Sequence, residues 1–301
     1  MKLSSSLPFL LAAWGLSTSA SAEEEASPSS SSTPSDDDHF GPDGLCSDTY
    51  PTLDLHKAFQ PLNKPPQIRP GRDGVTRLKL PFNLVNYNGP SYSTILRAYN
   101  GFAPGPTIHV EPGGSFELEL INCLHLPLGF DGEEAHNRYH HPNSTNMHTH
   151  GPHITGESPG DNVFLNIGPQ ESHTYTYEFD ENHMPGTFWY HPHLHGSSAL
   201  QVGQGAAGMI VIDHPKDYDI PDNIKNMPEI QMVFQHMGLE TLRDSSRVSE
   251  DGITNWVDLN FDITNTTTDL TNFMLVNMQF IPKVTMEVGK WYRWRMVMSS
   301  M

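Results

Sequence analysis

The chain is 301 residues long, room for about two domains of ordinary size. Its formal net charge of −18 argues against nucleic acid or an anionic membrane surface as a partner. With 25 prolines and 24 glycines, and no long run of apolar residues at helical spacing, the composition points to short strands joined by many turns.

The first residues read as a secretory signal: Lys2, an apolar run from Leu7 to Leu16, then the small-residue site Ala20-Ser21-Ala22. That run is too short to span a bilayer. The Ser-rich, acidic stretch after it reads as a disordered leader over residues 23–45. Export would expose Cys46 and Cys123 to an oxidising environment, where they either pair or stay free; spacing does not decide between the two. Asn143 and Asn265 stand in glycosylation sequons, which agrees with a secreted, extracellular protein.

From Val75 the pattern becomes strand-like. "SFELELINCL" turns Phe116, Leu118 and Leu120 inward and Glu117 and Glu119 outward. "SHTYTYEF" alternates Tyr175, Tyr177 and Phe179, and "AAGMIVI" (Ala206 to Ile212) has the continuous apolar character of a strand buried on both faces. No helix is required between residues 75 and 213, and the expected architecture is an antiparallel sandwich or barrel. The Pro-punctuated residues 216–228 read as a linker. Strand patterns resume at residue 229, and about 74 residues is short for a sandwich of this kind.

Histidines carry the chemistry. In a strand, residues i and i+2 share a face, so "HTH" at His148 and His150 delivers two imidazoles side by side, and "HPHLH" places His191, His193 and His195 in the same way. Thr149, between the first pair, points to the opposite face. Imidazole nitrogens suit zinc, copper, iron or nickel rather than calcium or magnesium. Four of them exceed what a catalytic zinc site usually takes from protein, and neither cysteine lies near either doublet. Phe188, Trp189 and Tyr190 are expected to wall the site from water. The neighbouring His136, His140, His141 and His153 read as solvated loop residues. The late methionines, Met274, Met278, Met286, Met296 and Met298, read as core filling in preference to soft Cu(I) ligands.

"AYNGFAPGPTIHVEPGGSFELELINCL" and the stretch from "NMHTHGPH" to "GTFWYHPHLHG" together resemble the first cupredoxin domain of multicopper oxidases, the family of laccases and copper-efflux oxidases. "WYRWRMVMSSM" is similar to a strand of that family's second domain, with Met298 where Asn is usual. The resemblance implies an all-β fold, a cupredoxin-like Greek-key β-sandwich over residues 46–215, followed by a partial second cupredoxin domain over residues 229–301. It implies copper as cofactor. His148 would bind a type 2 copper, His150 and His191 one type 3 copper and His193 the other, with His195 outside the ligand set. Asp161 stands about eleven residues past the first doublet, where the family places an acid for proton delivery; a plain turn residue in "SPGDN" is the alternative reading. O2 and a reducing substrate (phenols, amines or metal ions) are the implied partners.

Two departures bear on activity. The family draws four further cluster histidines and a type 1 His-Cys-His set from a C-terminal cupredoxin domain, and no such run occurs in this sequence. The chain alone is therefore expected to be inactive and to load copper weakly. A non-catalytic secreted copper-binding protein is the alternative reading, and a zinc hydrolase is remote. His-Thr-His in place of the laccase His-Trp-His leaves the donor unassigned.

Overall fold

The computed structural model describes residues 39–40, 45–47, 49–89, 93–125, 141–215, 219–238 and 272–299. The expected signal (1–22), most of the leader, Asn265, His136 and His140 lie outside the described residues.

Strand β1 (His39–Phe40) pairs antiparallel with β2 (Cys46–Ser47), so the expected leader contributes a short pairing near its C-terminal end. Then come β3 (Thr52–Asp54), β4 (Gln67–Ile68), β5 (Val75–Asn88), β6 (Ser93–Tyr99), β7 (Thr107–Val110) and β8 (Ser115–Asn122). Further along lie β9 (His148–His150), β10 (Ser172–Glu178), β11 (Gly186–His191), the short helix α1 (Ser198–Gly203) and β12 (Gly208–Ile212). A one-turn helix α2 (Asp222–Lys225) falls within the expected linker, followed by β13 (Glu229–Gly238), β14 (Asn272–Val276) and β15 (Arg293–Ser299).

One sheet has the order β10-β8-β5-β3, with β6 also on β5. A second runs β4-β7-β12-β11-β9, and a third runs β14-β13-β15. The first two are the halves of a sandwich, as expected. They are mixed rather than antiparallel: β5 runs parallel to β8, and β7 parallel to both β4 and β12. Partners so placed are not joined by hairpins, so alternation along each strand could not reveal their direction.

The core follows from pleat parity. Leu80 and Phe82 on β5, Phe116, Leu118 and Leu120 on β8, and Tyr175 and Tyr177 on β10 face Ile108, Val110, Tyr190, Ile210 and Ile212 of the second sheet. Strand β12 is buried on both sides, because Met209 and Val211 turn outward against Val233 and Val297 of the third sheet. Cys46 and Cys123, left open by sequence, form a disulfide with Cα atoms 5.3 Å apart.

Helix α1 was not expected, and its reason is tertiary. It buries Leu200 and carries Gln201 inward, where the amide donates to the carbonyls of Pro142 (2.9 Å) and Ser144 (2.7 Å) and accepts from Thr145 Oγ1. Those backbone groups belong to the loop entering β9, and left unpaired they would each carry a desolvation cost. Sequon Asn143 is built into the same region. Its Nδ2 donates to the His125 carbonyl (2.6 Å) and its Oδ1 accepts from the buried Arg97.

The methionine reading holds only for Met278, which is fully buried with Val85, Tyr87 and Leu275. It sits at φ 60° in the turn between β14 and the following chain, a conformation a glycine adopts without strain. Met274, Met286, Met296 and Met298 are exposed. On β15 the even positions Trp294, Met296 and Met298 share one open face, while Arg295 and Val297 point to the packed one.

Packing around Tyr190 is close enough to forbid a methyl group. A Cβ at Gly208 would overlap the Tyr190 ring, whose hydroxyl is fixed by donation to the Pro106 carbonyl at 2.8 Å. Gly208→Ala is expected to destabilise the chain by about 1–3 kcal/mol through overpacking. The midpoint of denaturant unfolding checks it, and an unchanged midpoint would show that the ring has room to move.

Candidate metal centre

Strands β9 and β11 pair antiparallel with His148 opposite His191 and His150 opposite Trp189. Opposed residues and i,i+2 neighbours share a face, so His148, His150, Trp189 and His191 all project from the outer side of the second sheet. Thr149 and Tyr190 project inward and are buried. The ligand atoms of His148, His150 and His191 lie within 4.8 Å of one another, close enough to share one small ion or a compact cluster.

His193 reaches the same place by another route. The strand ends at His191, and Pro192, which has no N–H to extend a ladder, starts a turn into α1. The expected three-histidine alternation therefore stops at its first member. The His193 backbone N–H donates to Asn146 Oδ1 (2.6 Å), and its ring stands edge-on to His148 with centroids 5.1 Å apart. Asn146 is buried, and its Nδ2 donates to the carbonyls of Val163 (2.8 Å) and Leu165 (3.0 Å). Sequence reasoning missed this positioning residue; the signal available was a buried-type asparagine two places before His148. His195 lies exposed in the turn and is outside the three-histidine group.

Asp161 is more than a turn residue. Its Oδ2 accepts from His148 Nδ1 at 2.6 Å and its Oδ1 accepts from the Thr149 backbone N–H at 2.8 Å. A carboxylate only accepts here, so His148 carries its proton on Nδ1 and presents a bare Nε2. His191 is oriented in the same sense: Nδ1 donates to the Pro192 carbonyl (2.9 Å), leaving the Nε2 lone pair 3.4 Å from His150 Nδ1.

Electrostatics keep this set ready for metal. Burial pushes the His191 imidazole down to about 4, and burial followed by the neighbouring His148 and His193 lowers His150. Both are then neutral at neutral pH, the form that coordinates. The Trp189 ring stacks on His191 (4.1 Å between centroids) and on His150 (5.0 Å), forming one dry side of the site. Of the three residues expected to form the wall, Trp189 alone lies on the metal side, since Phe188 and Tyr190 pack on the core at the opposite face. The soft-to-intermediate, all-imidazole donor set suits copper as well as zinc, and the carboxylate behind His148 is the usual outer partner of a metal-bound imidazole.

His153 is exposed, as the sequence reading expects of a loop residue. Its backbone N–H donates to Nε2 of the buried His183, whose Nδ1 donates to the Met184 carbonyl, so His183 is a fully bonded structural histidine.

Residues 134–217 match a family model described as multicopper oxidase. Among curated proteins, Laccase-2 of Thanatephorus cucumeris is 29% identical over 218 residues, covering 67% of this chain and 31% of that protein. Multicopper oxidase mco of Staphylococcus epidermidis is 29% identical over 156 residues, covering 51% and 30%. Laccase-1 of Agaricus bisporus is 32% identical over 152 residues, covering 47% and 26%. The chain thus spans about a third or less of the length of these relatives. Among solved structures, the McoA multicopper oxidase 2F4 variant of Aquifex aeolicus superposes with a TM-score of 0.53 at 20% identity, covering 81% of this chain and 46% of that one. The multicopper oxidase of Campylobacter jejuni gives 0.50 at 22%, covering 81% and 44%. Both have the cupredoxin-like β-sandwich fold found in this chain.

Proposed function

Taking its resemblance to the laccase-like multicopper oxidases as the premise, we propose that the chain supplies the N-terminal portion of a secreted, copper-dependent oxidase that passes electrons from a donor to O2. The observation that carries this reading is the convergence of His148, His150 and His191, with His193 alongside, on one sheet face backed by Asp161. Residues 46–215 are assigned to a first cupredoxin domain, 216–228 to a linker and 229–301 to part of a second. The main core is drawn from residues 80–212, which supports that division.

His148, His150, His191 and His193 would hold copper as half of a type 2 and type 3 ligand set. Bound copper would supply reversible one-electron redox chemistry at a site open to O2. Asp161 fixes the tautomer of His148 and stands one hydrogen bond behind it, where a carboxylate can take up and release protons. Trp189 keeps water from one side of His150 and His191.

The electron-entry site has to come from elsewhere. A type 1 copper needs a thiolate, and both cysteines of the chain are consumed in the Cys46–Cys123 disulfide. The purified chain is therefore expected to hold copper weakly and to consume no O2 with phenols, amines or reduced metal ions as donors. Copper analysis by mass spectrometry together with an oxygen electrode checks both. Turnover by the chain alone would overturn the reading, and tight stoichiometric copper without turnover would favour a non-catalytic copper-binding protein.

A further inference from the structure

A cavity of about 1040 Å³ opens where residues 61–69, 213–215, 220–231 and 283–295 meet, well apart in sequence from the clustered histidines. That is the upper end of the volume range of small-molecule sites. Its charge runs against that of the chain. Six of the 17 lysines and arginines line it (Lys64, Arg69, Lys225, Lys283, Arg293 and Arg295), against two of the 35 acids, Asp213 and Glu229.

One of the two acids, Glu229, is already occupied. Glu229 accepts from Arg293 Nη1 and from Arg295 Nε and Nη2, each at 2.8 Å. Asp213 lies 3.6 Å from His109 Nδ1. Among the described residues, Lys64, Arg69, Lys225 and Lys283 make no ion pair with a carboxylate. Like charges gathered on one cavity repel each other, and a chain with 35 acids has ample means to neutralise them.

The walls are held in place before any ligand arrives. Gln67 Nε2 donates to Gln231 Oε1 (2.8 Å), and Thr107 Oγ1 donates to the same oxygen (2.9 Å). Asn277 Nδ2 donates to the Asn63 carbonyl, and Gln279 Nε2 to that of Pro61, so the strip from residue 61 to 63 is clamped against the turn after β14. Lys283 is pinned by backbone bonds to Gln60 and Leu62. Buried His109 donates from Nε2 to Gln67 Oε1 (2.9 Å) and turns Nδ1 toward Arg69 Nη1 (3.4 Å), which holds the guanidinium at the cavity wall. Binding in a pre-shaped site forfeits little ordering entropy.

We propose that this cavity binds a small, multiply charged oxyanion, with Lys64, Arg69, Lys225 and Lys283 supplying the charge. Guanidinium and ammonium groups take carboxylate and phosphate oxygens alike, so di- or tricarboxylates and small polyphosphates share the required chemistry. The test is calorimetric titration of the metal-free 301-residue chain at low ionic strength with citrate, inorganic pyrophosphate and acetate. Citrate or pyrophosphate is expected to bind, more weakly as salt is added, and acetate is not. The tighter of the two names the ligand class.

Arg69→Gln with Lys283→Gln is expected to weaken binding about tenfold or more, as loss of charge-assisted bonds should. Lys64→Gln with Lys225→Gln, at exposed side chains that make no bond within the described chain, keeps the fold and should act in the same direction. Removing Lys57, which does not line the cavity, should change nothing. No binding of either polyanion, or the parent's affinity retained in both double variants, overturns the proposal. Copper takes no part in any arm, so failure here leaves the oxidase reading untouched.

Discussion

Replacing His148 with alanine is expected to weaken copper binding by the purified chain about a hundredfold or more, the largest single effect at the site. His148 is the residue on which the cluster converges: its ring centroid lies 5.4 Å from His150, 5.3 Å from His191 and 5.1 Å from His193. It is only partly buried, so truncation leaves the core intact. Asp161→Asn gives the graded companion, with a loss of about 10–100-fold, the usual cost of removing an outer partner of a metal-bound imidazole. The asparagine can still accept from Thr149, but it no longer brings a negative charge to His148 Nδ1. Competition against a chromophoric chelator reads both variants, with the exposed His153→Ala as a control. If His148→Ala and His153→Ala behave alike, copper is held elsewhere.

The second large effect is on stability. The Cys46–Cys123 bond joins residues 77 apart in sequence, and the chain-entropy account of such a loop gives about 4 kcal/mol. The bond ties the segment carrying β2 to the end of β8, beside buried Ile121. Cys46→Ala with Cys123→Ala is expected to lower stability by roughly that amount, visible as a large fall in melting temperature, and a reductant should do the same to the parent chain. A difference below about 1 kcal/mol between oxidised and reduced chains would mean that the hydrogen-bonded sheets alone fix this segment.

Alternation along strands was readable wherever one face is core. Phe116, Leu118, Leu120, Tyr175 and Tyr177 sit where the pattern puts them, and the apolar run of β12 is buried on both faces. The doublet His148–His150 was legible for the same reason. What escaped the sequence depends on contacts distant along the chain. Helix α1 forms to bring Gln201 to the carbonyls of residues 142 and 144, which no local propensity announces. Parallel pairing of β5 with β8 leaves no mark on either strand. His193 owes its position to an amide 47 residues earlier rather than to a pleat. Methionines on β15 read as core because their period is a strand's, but the period does not say which face is covered.

Strand β11 carries two alternating tasks, with Tyr190 locked into the core and Trp189 and His191 presented to the metal side. A slip of one residue against β9 would exchange these roles completely, driving an imidazole among tyrosines and leaving a phenol on the outer face. Metal competence and correct strand register are therefore one and the same property of this segment. Copper uptake then reports on folding fidelity, separating native chains from compact, misregistered ones of the same secondary structure content. An insertion or deletion of one residue between Gly186 and His191 is the change this arrangement tolerates least, whatever residue is added or lost.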